Sequence, residues 1–293
     1  MVNLDYGYKG DENMKKSKLL IVSFFALFTL FLAACGDNEA SSEGEEQEEQ
    51  TTFTVGTSPG PYSELFLEAV KPILEEKGYT IETVDFSELL QADIALTEGS
   101  VDLNVDQHTA YMENYNEEKG ASLTDLTPIP TVPTGIFPGK KDSLDNIEEG
   151  DVVGIPNDPS NAARAYALLQ KAELIKIKED VELIKATSND IEENPYNLDI
   201  SEMDSAQIPR ALDDLDYGVI PGSIVYSSGL DASTSLLSED ILKELELVAV
   251  VDEENKDSQW AKDVKAAYES DEFKAYMDEN NQDDYWFIPD ELR

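Results

Sequence analysis

The chain is poor in the two side chains that most often carry site chemistry: it holds one Cys and one His in 293 residues. A single Cys excludes a disulfide framework. One of each excludes a His/Cys-rich zinc site and leaves a Cys–His nucleophile pair with no spare member. Positive charge is scarce as well, with 21 Lys+Arg against 63 Asp+Glu and a formal net charge of -42. Phosphate repels such a surface, so a nucleic-acid partner is excluded. An acidic surface suits a soluble exported protein without identifying its ligand. No Ser/His/Asp order or paired-carboxylate motif rises above what so acidic a chain produces by chance. An exported hydrolase therefore has little to support it, and no cofactor or metal is expected.

What is present begins with an export pattern. Residues 1–13 read as an upstream extension or a mis-set start, and the signal begins at Met14. Lys15, Lys16 and Lys18 form a positive start, and residues 19–32 an apolar run interrupted only by Ser23 and Thr29. That run is short for a spanning helix and sits where a signal peptide belongs. Its end, Leu32-Ala33-Ala34-Cys35, resembles a bacterial lipobox, in which cleavage precedes the Cys and the thiol carries diacylglycerol. An uncleaved anchor with a chance Cys is the alternative. Two or more acyl chains give stable anchoring where one does not. Residues 36–51 lack apolar periodicity and carry a block of like charge, as a disordered tether does.

From Thr52 onward strands alternate with helices. A strand at 53–56 precedes the turn Ser58-Pro59-Gly60-Pro61 and a helix with Phe66, Ala69, Val70 and Ile73 on one face, kinked at Pro72. A strand over 79–86 follows, then a helix through Leu89, Leu90, Ile94 and Leu96, and a strand at 101–105. Asp106-Gln107-His108 and Tyr111 lead into a helix ending near Gly120. The proline-rich 127–135 suits an extended crossover or hinge better than a central strand. A second α/β unit opens at Val152; it includes a helical turn near 190–194, a helix over 206–215, a strand at 217–220 and the turn Pro221-Gly222-Ser223. An apolar strand over 245–251 and one last helix over 260–277 return to the first lobe. This rhythm implies parallel βαβ units in an open α/β, two-lobed clamshell with a ligand at the strand ends. Its parts are 1–34 (extension and signal), 35–51 (lipidated Cys and tether), 52–133 with 246–293 (first lobe), and 134–245 (second lobe).

The sharpest stretch is Gly154-Ile155-Pro156-Asn157-Asp158-Pro159-Ser160-Asn161-Ala162-Ala163-Arg164. Asp158 is a good N-cap, and Pro159 fits the first helical position. The free N–H groups of that turn favour an anion. Arg164 adds a full positive charge near the same dipole end, where it needs a negative partner that a ligand carboxylate would supply. A solvated arginine beside an ordinary turn is the alternative.

These pieces, in order, resemble the NlpA/methionine-binding lipoproteins, the substrate-binding components of methionine-type ABC importers. The resemblance rests on Val55-Gly56 with Ser58-Pro59-Gly60-Pro61, on Gln107-His108 with Tyr111, and on Ile155 through Arg164-Ala165. Glu193-Asn194-Pro195, Ala206-Gln207-Ile208-Pro209-Arg210 and Leu212-Asp213-Asp214 continue it. It implies a type-II periplasmic-binding-protein fold and capture of methionine, a related amino acid or a short peptide for a permease and its ATPase. By the same resemblance Arg164 holds the ligand carboxylate, Asn161 and Asn157 neighbour it, and His108 and Tyr111 form the wall opposite. Both could equally be structural, His108 in a loop and Tyr111 in the core. The family usually has an aromatic pair where this chain has Val105 and Asp106, a Tyr at Leu89, and an Asn-Gly-Asn turn at Pro221-Gly222-Ser223. Tyr62 replaces a frequent His and restores one aromatic surface. Facing the cleft, Asp106 would accept from a ligand ammonium or polar side chain and oppose a bare thioether; otherwise it is a solvated loop carboxylate. A surface interaction lipoprotein that kept the scaffold without transport is the competing reading of the whole chain.

Overall fold

The computed structural model describes residues 50–281 and 285–293. The export signal, Cys35 and the tether through residue 49 lie outside these described residues. Strand β1 (Thr52–Thr57) leads into a helical stretch of three parts: α1 (Pro61–Leu65), a π-helical turn (Phe66–Val70) and α2 (Lys71–Glu76). Pro72 has no N–H to give, and the hydrogen-bond ladder widens over the turn before it instead of breaking. Phe66, Ala69 and Val70 are buried, but Leu74 takes the buried place expected of Ile73. Then come β2 (Thr80–Asp85), α3 (Leu89–Thr97), β3 (Leu103–His108), α4 (Thr109–Lys119) and β4 (Leu123–Pro128). Gly120 closes α4 in the left-handed region, at φ 66.

The second lobe runs β5 (Gly135–Pro138), β6 (Val152–Pro156), α5 (Pro159–Lys171), the small pair β7 (Lys176–Ile177) and β8 (Ile191–Glu193), then β9 (Asp199–Met203). It ends with α6 (Ile208–Ala211), β10 (Tyr217–Ile220), α7 (Gly222–Ser228) and β11 (Leu237–Ser238). The chain returns through β12 (Leu247–Asp252), α8 (Gln259–Tyr268) and α9 (Asp271–Asn280). Trp260, Tyr268 and Phe273 from this return pack into the first lobe's core, with Trp260 stacked on Phe53 at 4.9 Å.

The two five-stranded sheets have the orders β2-β1-β3-β12-β4 and β11-β5-β10-β6-β9. Neither is purely parallel, which corrects the expectation. In the first, β1 runs parallel to β2 and β3, while β12 is antiparallel to both β3 and β4. The reason is the crossing. β12 arrives from the other lobe and starts where β3 ends, with Leu247 opposite His108. In the second sheet β10 is parallel to β6 and antiparallel to β5. The segments between β4 and β5 and between β11 and β12 therefore join the lobes.

Local differences have local causes. The expected helix over 206–215 is a 3-10 turn (Ser205–Gln207) followed by the four residues of α6, and the turn near 190–194 is instead Ser188–Asp190 followed by β8. The single C-terminal helix is broken because the Ser270 hydroxyl accepts from the Phe273 N–H and starts a new helix. On α3 the buried residues are Ala92, Asp93, Ala95 and Leu96, whereas Leu90 and Ile94 are each 41% exposed.

That face assignment gives a paired expectation. Leu96→Ala should lower the unfolding free energy by about 2–5 kcal/mol, and Leu90→Ala should change it by no more than about 0.5 kcal/mol. Denaturant titration of both variants reads the difference, and equal effects would contradict the buried face described.

Candidate ligand-binding site

The strand β6 delivers Asp158 to the start of α5, where its carboxylate accepts the Asn161 N–H at 3.0 Å. The same carboxylate accepts from Asn161 Nδ2 at 3.1 and 3.2 Å, which turns the amide so that Oδ1 faces the first lobe. There it lies 3.4 Å from His108 Nε2. His108 is not in a loop: it is the last residue of β3 and the cap of α4, its Nδ1 accepting the Tyr111 N–H at 3.1 Å. With Nδ1 an acceptor, the ring proton sits on Nε2 and is donated to Asn161. Burial and the nearby Arg164 guanidinium push the imidazole down to about 3, so it is neutral at any physiological pH.

Arg164, one turn beyond Asn161, is buried, and the negative partner it requires lies within the chain. Its Nε donates to both oxygens of Glu239, at 3.0 and 2.8 Å, and Nη2 donates to Oε1. Glu239 follows β11, at the start of the second crossing segment. Its Oε1 also accepts the Thr134 N–H at 2.7 Å, and its own N–H donates to the Thr134 carbonyl at 3.0 Å. One carboxylate thus ties α5 to both crossings. Nη1 makes no hydrogen bond among the described residues, and Arg164 lines the cleft.

The first lobe supplies a wall of buried polar groups. Asp106 is in β3, not a solvated loop. Its Oδ2 accepts from Ser58 N–H, Ser58 Oγ and Ser63 Oγ at 3.0, 2.7 and 2.7 Å, and its Oδ1 from Ser63 N–H at 3.1 Å. Burial outweighs these four donors and raises the carboxyl to about 6. Behind it, Asn104 donates to the Gly56 carbonyl at 3.2 Å and accepts the Asp106 N–H at 3.0 Å, so its amide cannot be flipped. Gln107 must then present Nε2 to Asn104 Oδ1, at 3.2 Å, and the same nitrogen donates to Asp93 Oδ1 at 2.5 Å. Among the described residues, Asp93 Oδ2 and Gln107 Oε1 are left buried without a partner. Asp93, fully buried on α3, is raised to about 7 by desolvation, which outweighs its bond from Gln107 and is reinforced by Asp106.

These walls enclose a cavity of about 430 Å³ between the lobes. Arg164, Asn161, Asn157, Tyr111, His108, Asp106, Tyr62 and Ser223 all line it. Tyr62 is buried, accepts the Val132 N–H of the first crossing at 3.2 Å and meets Trp286 edge-on at 5.8 Å. Leu89 lines the cavity too, while Val105 points into the core beneath it. The lobes are also bridged by Tyr226 of α7, whose hydroxyl donates to Glu64 of α1. A second hollow, about 530 Å³, lies on the far side of the second lobe around Lys176, whose ammonium is paired with Glu192 and Glu193. Among the described residues no group of three or more His, Cys, Asp or Glu side chains could hold a metal ion.

Sequence reasoning missed Glu239, Ser58, Ser63 and Asp93. Glu239 has no local signal, being one of 63 acidic residues at the end of a two-residue strand. Asp93 did have one: it is spaced i+4 from Leu89 and i−3 from Leu96, on a helical face that turns inward.

Two stability experiments follow. Arg164→Ala leaves Glu239 buried and unpaired, which costs about 3–5 kcal/mol, so the melting temperature should drop by roughly 6–15 °C. A drop of one or two degrees would contradict the pairing. For Asp93, the folded pKa lies above the unfolded value, so the native state keeps a proton that the unfolded state loses, and stability falls as pH rises from about 4 to about 7. Asp93→Asn should therefore stabilise the protein more at pH 8 than at pH 5, by about 2 kcal/mol. A gain independent of pH in thermal melts would refute the protonated Asp93.

The profile of the family described as NlpA lipoprotein matches residues 53–288. The D-methionine-binding lipoprotein MetQ of Salmonella typhi is 32% identical over 251 residues, covering 85% of this chain and 92% of that protein. A nutrient-binding protein from Burkholderia cenocepacia, solved bound to methionine, superposes with a TM-score of 0.74 at 31% identity, covering 80% of this chain and 99% of the other. The periplasmic substrate-binding protein of an ABC transporter from Coxiella burnetii gives 0.75 at 32%, with 81% and 100% covered. The two mixed five-stranded sheets, the cleft between them and these matches converge: the chain belongs to the NlpA lipoprotein family, as an extracytoplasmic substrate-binding lipoprotein of the MetQ type and not an enzyme.

Proposed function

We propose that the protein captures an amino acid, methionine or a relative of it, or a short peptide, and delivers it to an ABC permease and its ATPase. The observation that carries this is Arg164: a buried guanidinium at the cleft, fixed by Glu239, with Nη1 making no bond among the described residues. A ligand α-carboxylate accepting from Nη1 would lie near the start of α5, where positive potential from the helix adds to that of the guanidinium. Asn161 and Asn157 flank that position, and Tyr111, Tyr62 and Ser223 line the remainder of the cavity. Neutral His108 donates to Asn161 and serves as a wall without adding charge. Methionine bound to a relative 31% identical supports an amino acid of that size.

In this reading Cys35 carries the lipid and holds the protein at the outer face of the cytoplasmic membrane, with residues 36–51 as the tether. The lobes close on the ligand about the two crossings, which Glu239 and Thr134 hold together.

Mass spectrometry of small molecules released by denaturing the purified protein should find an amino acid or short peptide. If none is found, and no free amino acid or dipeptide raises the melting temperature, the proposal falls. Cys35→Ala should abolish partitioning into detergent; unchanged partitioning would remove the lipid anchor from the account.

A further inference from the structure

The charges around the cleft do not balance. Arg164 is the one cationic side chain among the residues lining the cavity, and Glu239 bonds it through both Nε and Nη2. The guanidinium thus reaches the cleft with an anionic partner from its own chain and with Nη1 left to donate. Asp106, on the opposite wall, has no counterpart to Glu239. It forms no ion pair among the described residues, and its donors are two hydroxyls and two backbone N–H groups. Those donors orient the carboxylate and keep it ionised at neutral pH, but they remove no charge.

The other acids of the lining are provided for. Asp158 caps α5 and faces the positive end of its dipole. Glu88 and Asp204 are exposed to water, where solvent and salt screen them. Asp106 alone places an uncompensated charge in a largely desolvated wall, the condition under which an opposite charge is most strongly attracted. Oδ2 takes three of its donors and Oδ1 only one, so Oδ1 has room for another.

Position then decides what could reach it. On β3 Asp106 and His108 project to the same side of the strand, roughly 7 Å apart along it. His108 contacts Asn161, and Arg164 follows Asn161 by one turn on α5. A ligand whose carboxylate is held at Arg164 and that runs past Asn161 and His108 would meet Asp106 with the far end of an extended side chain. Its α-ammonium, one carbon from the carboxylate, stays at the Arg164 end. We propose that the cleft takes a basic amino acid, whose α-carboxylate meets Arg164 and whose side-chain ammonium or guanidinium meets Asp106. This rests on the reading of Arg164 as the carboxylate anchor.

The test is calorimetric titration of the full-length protein, stripped of ligand, with L-lysine, L-arginine, L-norleucine and L-methionine. Norleucine has lysine's four-carbon side chain without the ammonium, so the pair isolates the charge. Lysine or arginine should bind at least about tenfold more tightly than norleucine, and Asp106→Asn should erase that advantage. Norleucine or methionine binding as tightly as the basic amino acids, or more so, would overturn the proposal and leave Arg164 as anchor. Failure of all four to bind would overturn this proposal, and the reading of Arg164 would then be decided by the released ligand and the melts with other amino acids and dipeptides. An advantage that survives in a folded Asp106→Asn protein would also overturn it. Should Asp106→Asn fail to fold, the wild-type ranking decides alone.

Discussion

A guanidinium withdrawn from water must meet a carboxylate or it is too costly to bury, and the Arg164–Glu239 pair is where this protein meets that demand. Glu239 is reached only because β11 ends beside β5 and the chain then turns toward the other lobe, so the pair exists only when the second lobe is folded and both crossings are in place. The proposed anchor for a ligand and the joint between the lobes are one hydrogen-bonded unit. A ligand bound at Arg164, as proposed, would act on Glu239 and through it on Thr134 without a long pathway. The coupling needs no more than three residues.

The first lobe solves a different problem with the same materials. Gly56 carbonyl and Asp106 N–H fix Asn104, Asn104 fixes Gln107, and Gln107 gives its one free direction to Asp93. Backbone groups therefore set the orientation of side chains two steps away. The two carboxylates at either end are treated unequally. Asp106 receives four donors and stays an anion near neutral pH, whereas Asp93 receives one and lies at the edge of protonation. Carboxylates that no cation meets are separated by how many donors reach them, and the four at Asp106 come from Ser58 in the loop before α1 and Ser63 within it.

The parts of this arrangement that were legible in sequence are those set by local chemistry. Asp158 and Pro159 mark the start of α5, Gly120 the end of α4, and the prolines between 127 and 135 the first crossing, each through backbone rules that act within a few residues. β12 could be seen as an apolar run, but not its direction, because that depends on where the chain re-enters the sheet. The 106–108 motif was visible as residues, yet its placement at the end of a strand was not, since Asp106 and His108 interrupt the apolar pattern that marks β3. Pairings such as Arg164 with Glu239, separated by 75 positions, or Asp106 with Ser58, separated by 48, are tertiary facts with no periodic signature. An acidic chain hides them further, because each important carboxylate is one among many.

The neutrality of His108 completes the electrostatic picture. A protonated imidazole at the end of β3 would lie in the same wall as Asp106 and compensate it. Burial and the nearby Arg164 guanidinium prevent this, although the Asn161 bond at Nε2 favours the proton; the α4 cap meanwhile takes the lone pair of Nδ1. A second proton would have to displace the Tyr111 N–H from Nδ1, in a buried site already facing Arg164. The Arg164 charge on one wall thus helps to keep His108 on the other uncharged. Arg164, bonded to Glu239, stands at one end of the cleft and Asp106, which no cation meets among the described residues, at the other, so this asymmetry is built from the fold and holds above about pH 6, where Asp106 is ionised and His108 neutral.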